Sequence, residues 1–177
     1  MGADIALLII IVLVMDRNCA GLIFSDLKGR PAWKAGAGIL GALLLFGIFY
    51  ALNLLSRRVL PFAGVEIGRV YGFKSGAAPL RIVLLMVFLI GPGEEIFWRG
   101  YLQRSWQARF GLIPGWLLST ALYMLVHTGS GNVMLVLAAG VCGLFWGFLY
   151  LRYRSILLVA VSHTLWDILV FIVFPFG

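Results

Sequence analysis

Apolar residues along this chain come in long runs, separated by short polar or basic stretches. The runs cover residues 5–15, 33–55, 80–101, 112–127, 133–151 and 155–174. Crossing a bilayer as a helix takes about 20 consecutive apolar residues. Five of the runs suit a span of that kind, while residues 5–15 are short for it unless the helix continues past Asp16-Arg17-Asn18 to Phe24. That first run has no basic residue before it and no small-residue cleavage site after it, so it does not read as a signal peptide. The polar stretches are predicted as loops at 26–34, 56–79 and 103–111, the second of them partly an interfacial helix, with a turn at 128–132. The pattern predicts an all-α, polytopic transmembrane bundle of about six spans. It forms a single integral membrane domain over residues 1–177, with no internal repeat.

Small residues mark where helices can approach closely. Ala37 and Gly41 have small-xxx-small spacing, and Gly143 and Gly147 form a GxxxG pair. Pro114 is tolerated in the first turn of its helix.

Composition agrees with the pattern. The 177 residues are 62% hydrophobic and 12% charged, whereas soluble domains are nearer a quarter charged. A net charge of +7 would suggest a nucleic-acid partner in a soluble protein. Here the basic residues lie mostly in loops, where membrane orientation and anionic headgroups account for them, and no nucleic acid is expected. Distribution of Lys and Arg favours both termini on the outer side. Cys19 and Cys142 form neither a disulfide nor a zinc pattern, and Cys142 reads as a packing residue.

Candidate chemistry appears where charge interrupts hydrocarbon. Three of the seven acidic residues, Glu94, Glu95 and Asp167, and both histidines, His127 and His163, fall inside apolar runs. An ionisable group inside a bilayer is costly and marks a functional site by default. On a helix, residues four apart share a face, which pairs Glu95 with Arg99, Tyr123 with His127, and His163 with Asp167. Glu95–Arg99 reads as a holding pair that cancels its own charge. Glu94 points about 100° away with no local cation, and reads as a working carboxylate. Gly91-Pro92-Gly93 just ahead of it is expected to break the helix and admit water. Taken one at a time, each His also suits a packed, hydrogen-bonded residue. Together the three pairs suit a site built from facing helices of a bundle.

The order Glu94-Glu95-x-x-x-Arg99, Tyr123-x-x-x-His127, His163-x-x-x-Asp167 on separate helices resembles the CAAX prenyl protease/bacteriocin-processing (CPBP, or Abi) family of intramembrane proteases. The resemblance spans about residues 80–170, with Tyr123 standing where the family usually has Phe. It implies an intramembrane glutamic-type endopeptidase in which Glu94 is the general base on water and His127 polarises the scissile carbonyl or its oxyanion. His163 and Asp167 position water and base, while Glu95 and Arg99 hold their helix in register, with Tyr123 supporting. No cofactor is expected. The alternative is zinc held by His127, His163 and Glu94, since two His and a carboxylate suit that ion, although the HExxH spacing is absent. The implied substrate is a membrane-associated or tail-anchored protein cut near its C-terminus or at a membrane-proximal segment, as in myxosortase-like relatives that trim sorting tails. The setting is the bilayer of a prokaryotic inner membrane. Two rival readings of the same residues are a proton-relay membrane protein and a non-catalytic membrane adaptor.

Overall fold

The computed structural model describes residues 7, 9, 10, 12, 14, 16, 19–72 and 78–176. Among these, seven helices and no strand are found. They are α1 (Cys19–Lys28), α2 (Pro31–Val59), α3 (Ala63–Gly72), α4 (residues 79–110), α5 (Leu112–His127), α6 (Val133–Tyr153) and α7 (Ile156–Ile168, continued by a π-turn over Leu169–Val173). The expectation about a span at residues 5–15 falls on a stretch more than half of which lies outside the described residues. Three helices are long and apolar enough to cross a membrane: Pro31–Val59, Val133–Tyr153 and Ile156–Val173.

Local chemistry explains the helix ends. Pro31 opens α2, where its missing N–H costs nothing, and Arg57 and Arg58 in the last turn complement the helix dipole. Asn132 caps α6 by accepting from the Leu135 N–H at 2.9 Å, and Ser155 caps α7 by accepting from Leu158 at 3.1 Å. Asp26 adds to the second cap: its Oδ2 accepts from the Leu157 N–H at 2.7 Å and from Ser155 Oγ at 3.1 Å, while Lys34 holds its Oδ1 at 2.6 Å.

Three expectations need correction. The stretch 26–34 is a loop only at 29–30, because α1 continues to Lys28 and α2 begins at Pro31. The stretch 103–111 is not a loop. Helix α4 runs through it to Phe110 and ends only at Gly111, whose φ of +95° suits glycine alone. Two of its polar residues, Gln103 and Gln107, face inward and are buried, while Ser105 and Arg109 are exposed. Nor does Gly91-Pro92-Gly93 break the helix. The sequence is absorbed by two π-segments, Met86–Ile90 and Ile96–Gln103, on either side of an α-segment, Gly91–Glu95. The wider π-turn carries the chain past a proline that has no N–H to donate, and π-segments of this kind recur at functional sites. In the predicted 56–79 loop, α3 forms the helix, and its Glu66 carbonyl accepts from Asn132 Nδ2 at 2.8 Å.

Helix α7 is the centre of the bundle. Half of its span is buried, against 22% for α2. Gly38 and Gly41 of α2 lie directly on Leu158, Val161 and Ser162 of α7. On the other side, Gly91 of α4 abuts Thr164 and Gly100 abuts Ile156. Gly143 and Gly147 of α6 lie against Thr120 and Trp116 of α5. Trp146, Leu45 and Leu158 fill the space between these contacts.

Candidate active site

Three helices converge on the polar residues. Helix α4 brings Glu94, Glu95 and Arg99; α5 brings Tyr123 and His127; α7 brings His163 and Asp167. The first of two clusters is sealed. Glu95 is 0% exposed, Arg99 2%, His163 4% and Asp167 6%. Arg99 Nη1 donates to Glu95 Oε1 at 2.8 Å, and His163 Nδ1 meets the same oxygen at 2.7 Å. His163 Nε2 lies 3.5 Å from Asp167 Oδ2. Arg99 therefore balances Glu95, and Asp167 stands against His163.

Aromatic faces hold this cluster. The His163 ring stacks on Trp146 with centroids 3.9 Å apart and 16° between planes. The Arg99 guanidinium lies 5.1 Å from the Tyr123 ring centroid and 5.6 Å from that of Trp146, within cation–π range of both. Trp146 is itself fixed by its Nε1–H, which donates to Ser162 Oγ at 3.2 Å. Gln103 Nε2 donates to the Gly147 carbonyl at 2.9 Å and ties α4 to α6 beside it.

The second cluster is open. Glu94 and His127 are both half-buried, and buried Tyr123 joins them. Tyr123 Oη donates to Glu94 Oε2 at 3.1 Å, and its ring meets the His127 ring edge-on, centroids 4.7 Å apart. His127 Nδ1 lies 2.7 Å from the Tyr123 carbonyl. A carbonyl only accepts, so Nδ1 carries the proton and Nε2 is left for other chemistry.

Adjacent carboxylates thus have different surroundings. Glu95 faces inward onto a cation and an imidazole, and half-buried Glu94 faces a tyrosine. Among the described residues, no three His, Cys, Asp or Glu side chains are grouped as a metal site. Both ring nitrogens of His163 face carboxylates other than Glu94, so the donor set His127, His163 and Glu94 does not fit zinc in this arrangement.

The i, i+4 spacing could not reveal the contact of Glu95 with His163, because it joins helices 68 positions apart in sequence. Trp146 and Gln103 were not singled out either.

No curated protein and no solved structure matches the chain. A family model, type II CAAX prenyl endopeptidase Rce1-like, matches residues 76–169. That stretch takes in every side chain of both clusters and more than half of the 177 residues. The chain therefore belongs to the Rce1-like type II CAAX prenyl endopeptidase family and is an integral membrane peptide hydrolase.

Proposed function

We propose that this protein is a glutamic-type intramembrane endopeptidase, with Glu94 as the general base that activates water. The observation that carries the reading is the unequal environment of two neighbouring carboxylates. Glu95 is sealed and paired, whereas Glu94 is half-buried, held by Tyr123, whose ring meets that of His127, and has no ion pair among the described residues.

In this mechanism Glu94 takes a proton from a water held beside it, and the resulting hydroxide oxygen bonds to the scissile carbonyl carbon. The carbonyl π electrons move to the oxygen, and protonated His127 donates Nε2–H to that oxyanion. Such donors act most strongly where bulk water is excluded. The oxyanion electrons re-form the carbonyl as the C–N bond breaks and Glu94 passes its proton to the leaving nitrogen; the carboxylic acid formed then loses its proton to the amine, giving a carboxylate and an ammonium. Tyr123 orients the carboxylate through its 3.1 Å bond. His163 and Asp167 position water and base from behind, and Glu95 with Arg99 holds α4 in place. No step needs a metal ion.

The substrate we assign is the C-terminal tail or leader of a membrane-associated protein, and the setting is a prokaryotic inner membrane. Co-expression with candidate tailed proteins tests this by the mass of the new terminus. Wild type trims the tail and Glu94→Gln leaves it intact. Activity persists after exhaustive chelation. Loss with chelator and rescue by zinc, or equal trimming by Glu94→Gln, overturns the mechanism.

A further inference from the structure

Further along α7, toward its C-terminal end, lies a cavity of about 460 Å³ lined by α2, α3, α6 and the end of α7. That volume falls in the range of roughly 300–1,000 Å³ typical of small-ligand sites. On α2 its wall runs from Phe49 to Leu60. Eleven steps of helix rise make it a slot about 16 Å long. Ala138 and Val141 line it from α6, and Val170 and Phe171 from α7. A long, narrow apolar slot beside a membrane span suits a single hydrocarbon chain.

Few polar groups interrupt the slot: Asn53 and Ser56 partway along the α2 wall, and Tyr71 from α3. Arg57 is fixed beside them, its Nε donating to Asn53 Oδ1 at 3.0 Å and its Nη2 donating to the Phe176 carbonyl. The Phe176 N–H donates in turn to Tyr71 Oη at 2.9 Å. Arg58 follows, exposed like Arg57. Among the described residues neither arginine has an ion-pair partner, and Glu66 on α3 is already taken by Arg69 at 2.6 Å. A guanidinium anchored to neutral acceptors keeps its charge available for an anion. Basic pockets between membrane helices bind lipid phosphates in this way.

We propose that the slot binds one acyl chain of an anionic phospholipid from the bilayer, with the phosphate held by Arg57 at its mouth. The slot lies beyond the carboxylate clusters along α7: Trp166 stands at the boundary, Val170 and Phe171 carry the wall toward the helix end, and no residue of either cluster lines it. Binding does not depend on what the enzyme cleaves.

Native mass spectrometry of the full chain in detergent, titrated with phosphatidylglycerol or phosphatidylcholine, tests the proposal. Wild type retains one phosphatidylglycerol at least tenfold more tightly than phosphatidylcholine. Arg57→Gln lowers phosphatidylglycerol affinity to the phosphatidylcholine level. Ala138→Phe, which fills the slot from α6, lowers affinity for both lipids by tenfold or more. Equal affinity for the two lipids in wild type overturns the proposal, as does a phosphatidylglycerol affinity that neither variant changes. A free fatty acid held as tightly as phosphatidylglycerol assigns the slot to a chain alone and overturns the phosphate contact. Circular dichroism identifies a variant that fails to fold, and the wild-type comparison decides the matter without it.

Discussion

Substituting Glu94 and Glu95 in turn tests the division between the two clusters most directly. Glu95 is fully buried and accepts from Arg99 at 2.8 Å and His163 at 2.7 Å through one oxygen. Glu95→Ala leaves a 2%-exposed guanidinium without its counter-ion. Removing one partner of a buried ion pair costs about 3–5 kcal/mol, because the remaining charge stays desolvated. For a chain of this length that is a fall in Tm of roughly 6–20 °C. Glu95→Gln keeps the shape and one acceptor, and loses only the charge-assisted part, about 1–3 kcal/mol. Glu94 has no ion pair among the described residues and one hydrogen bond, from Tyr123 at 3.1 Å. Glu94→Gln is expected to change Tm by less than about 2 °C, as for a substitution within ±0.5 kcal/mol. It is also expected to lower kcat by at least about 10²-fold, the usual contribution of a general base. The assay is thermal unfolding in detergent, followed by fluorescence and circular dichroism, beside tail cleavage measured at saturating substrate. A Glu95→Ala variant as stable as wild type, or a Glu94→Gln variant as destabilised as Glu95→Ala, refutes the reasoning.

Three further outcomes follow from contacts elsewhere. A Cβ on Gly115 would lie 2.4 Å from the Gln107 nitrogen and 2.6 Å from its Cα. Backbone cannot swing aside, so Gly115→Ala costs about 1–3 kcal/mol by overpacking. Gly47→Ala, where nothing lies within 4 Å, raises stability by about 0.5–1 kcal/mol from helix propensity alone; the two Tm values are compared side by side. Asp26→Ala removes the acceptor of the Leu157 N–H and of Ser155 Oγ, and unfolding in denaturant shows a loss of about 1–2 kcal/mol, as for other caps. Tyr123→Phe deletes the bond to Glu94 but keeps the ring packed on Trp98 and His127. Tail cleavage falls by about tenfold, the worth of one hydrogen bond to a charged group near 1.5 kcal/mol, with Tm within about 3 °C of wild type.

Composition and periodicity were enough to set the class of this protein. A chain 62% hydrophobic with long unbroken apolar runs has no way to satisfy its backbone in lipid except as helices or a closed barrel, and the run lengths select helices. The three i, i+4 pairs were equally legible, because helix geometry dictates which residues share a face whatever surrounds them. The 2.8 Å Glu95–Arg99 contact needs nothing beyond its own helix. Spacing paired Glu95 with Arg99 and left Glu94 free; what lay beyond the sequence was which partner on another helix each would meet. Whether Glu94 or Glu95 turns inward depends on the rotation of α4 about its axis, and two π-segments reset that rotation on either side of the pair. Gly91 against Thr164 and Gly100 against Ile156 then fix how closely α4 approaches α7. Only that approach brings His163 onto Glu95 and leaves Glu94 half-buried against Tyr123. Spacing along one helix is a local property, whereas the partner of a side chain across a helix interface is decided by every contact that sets the two helices side by side.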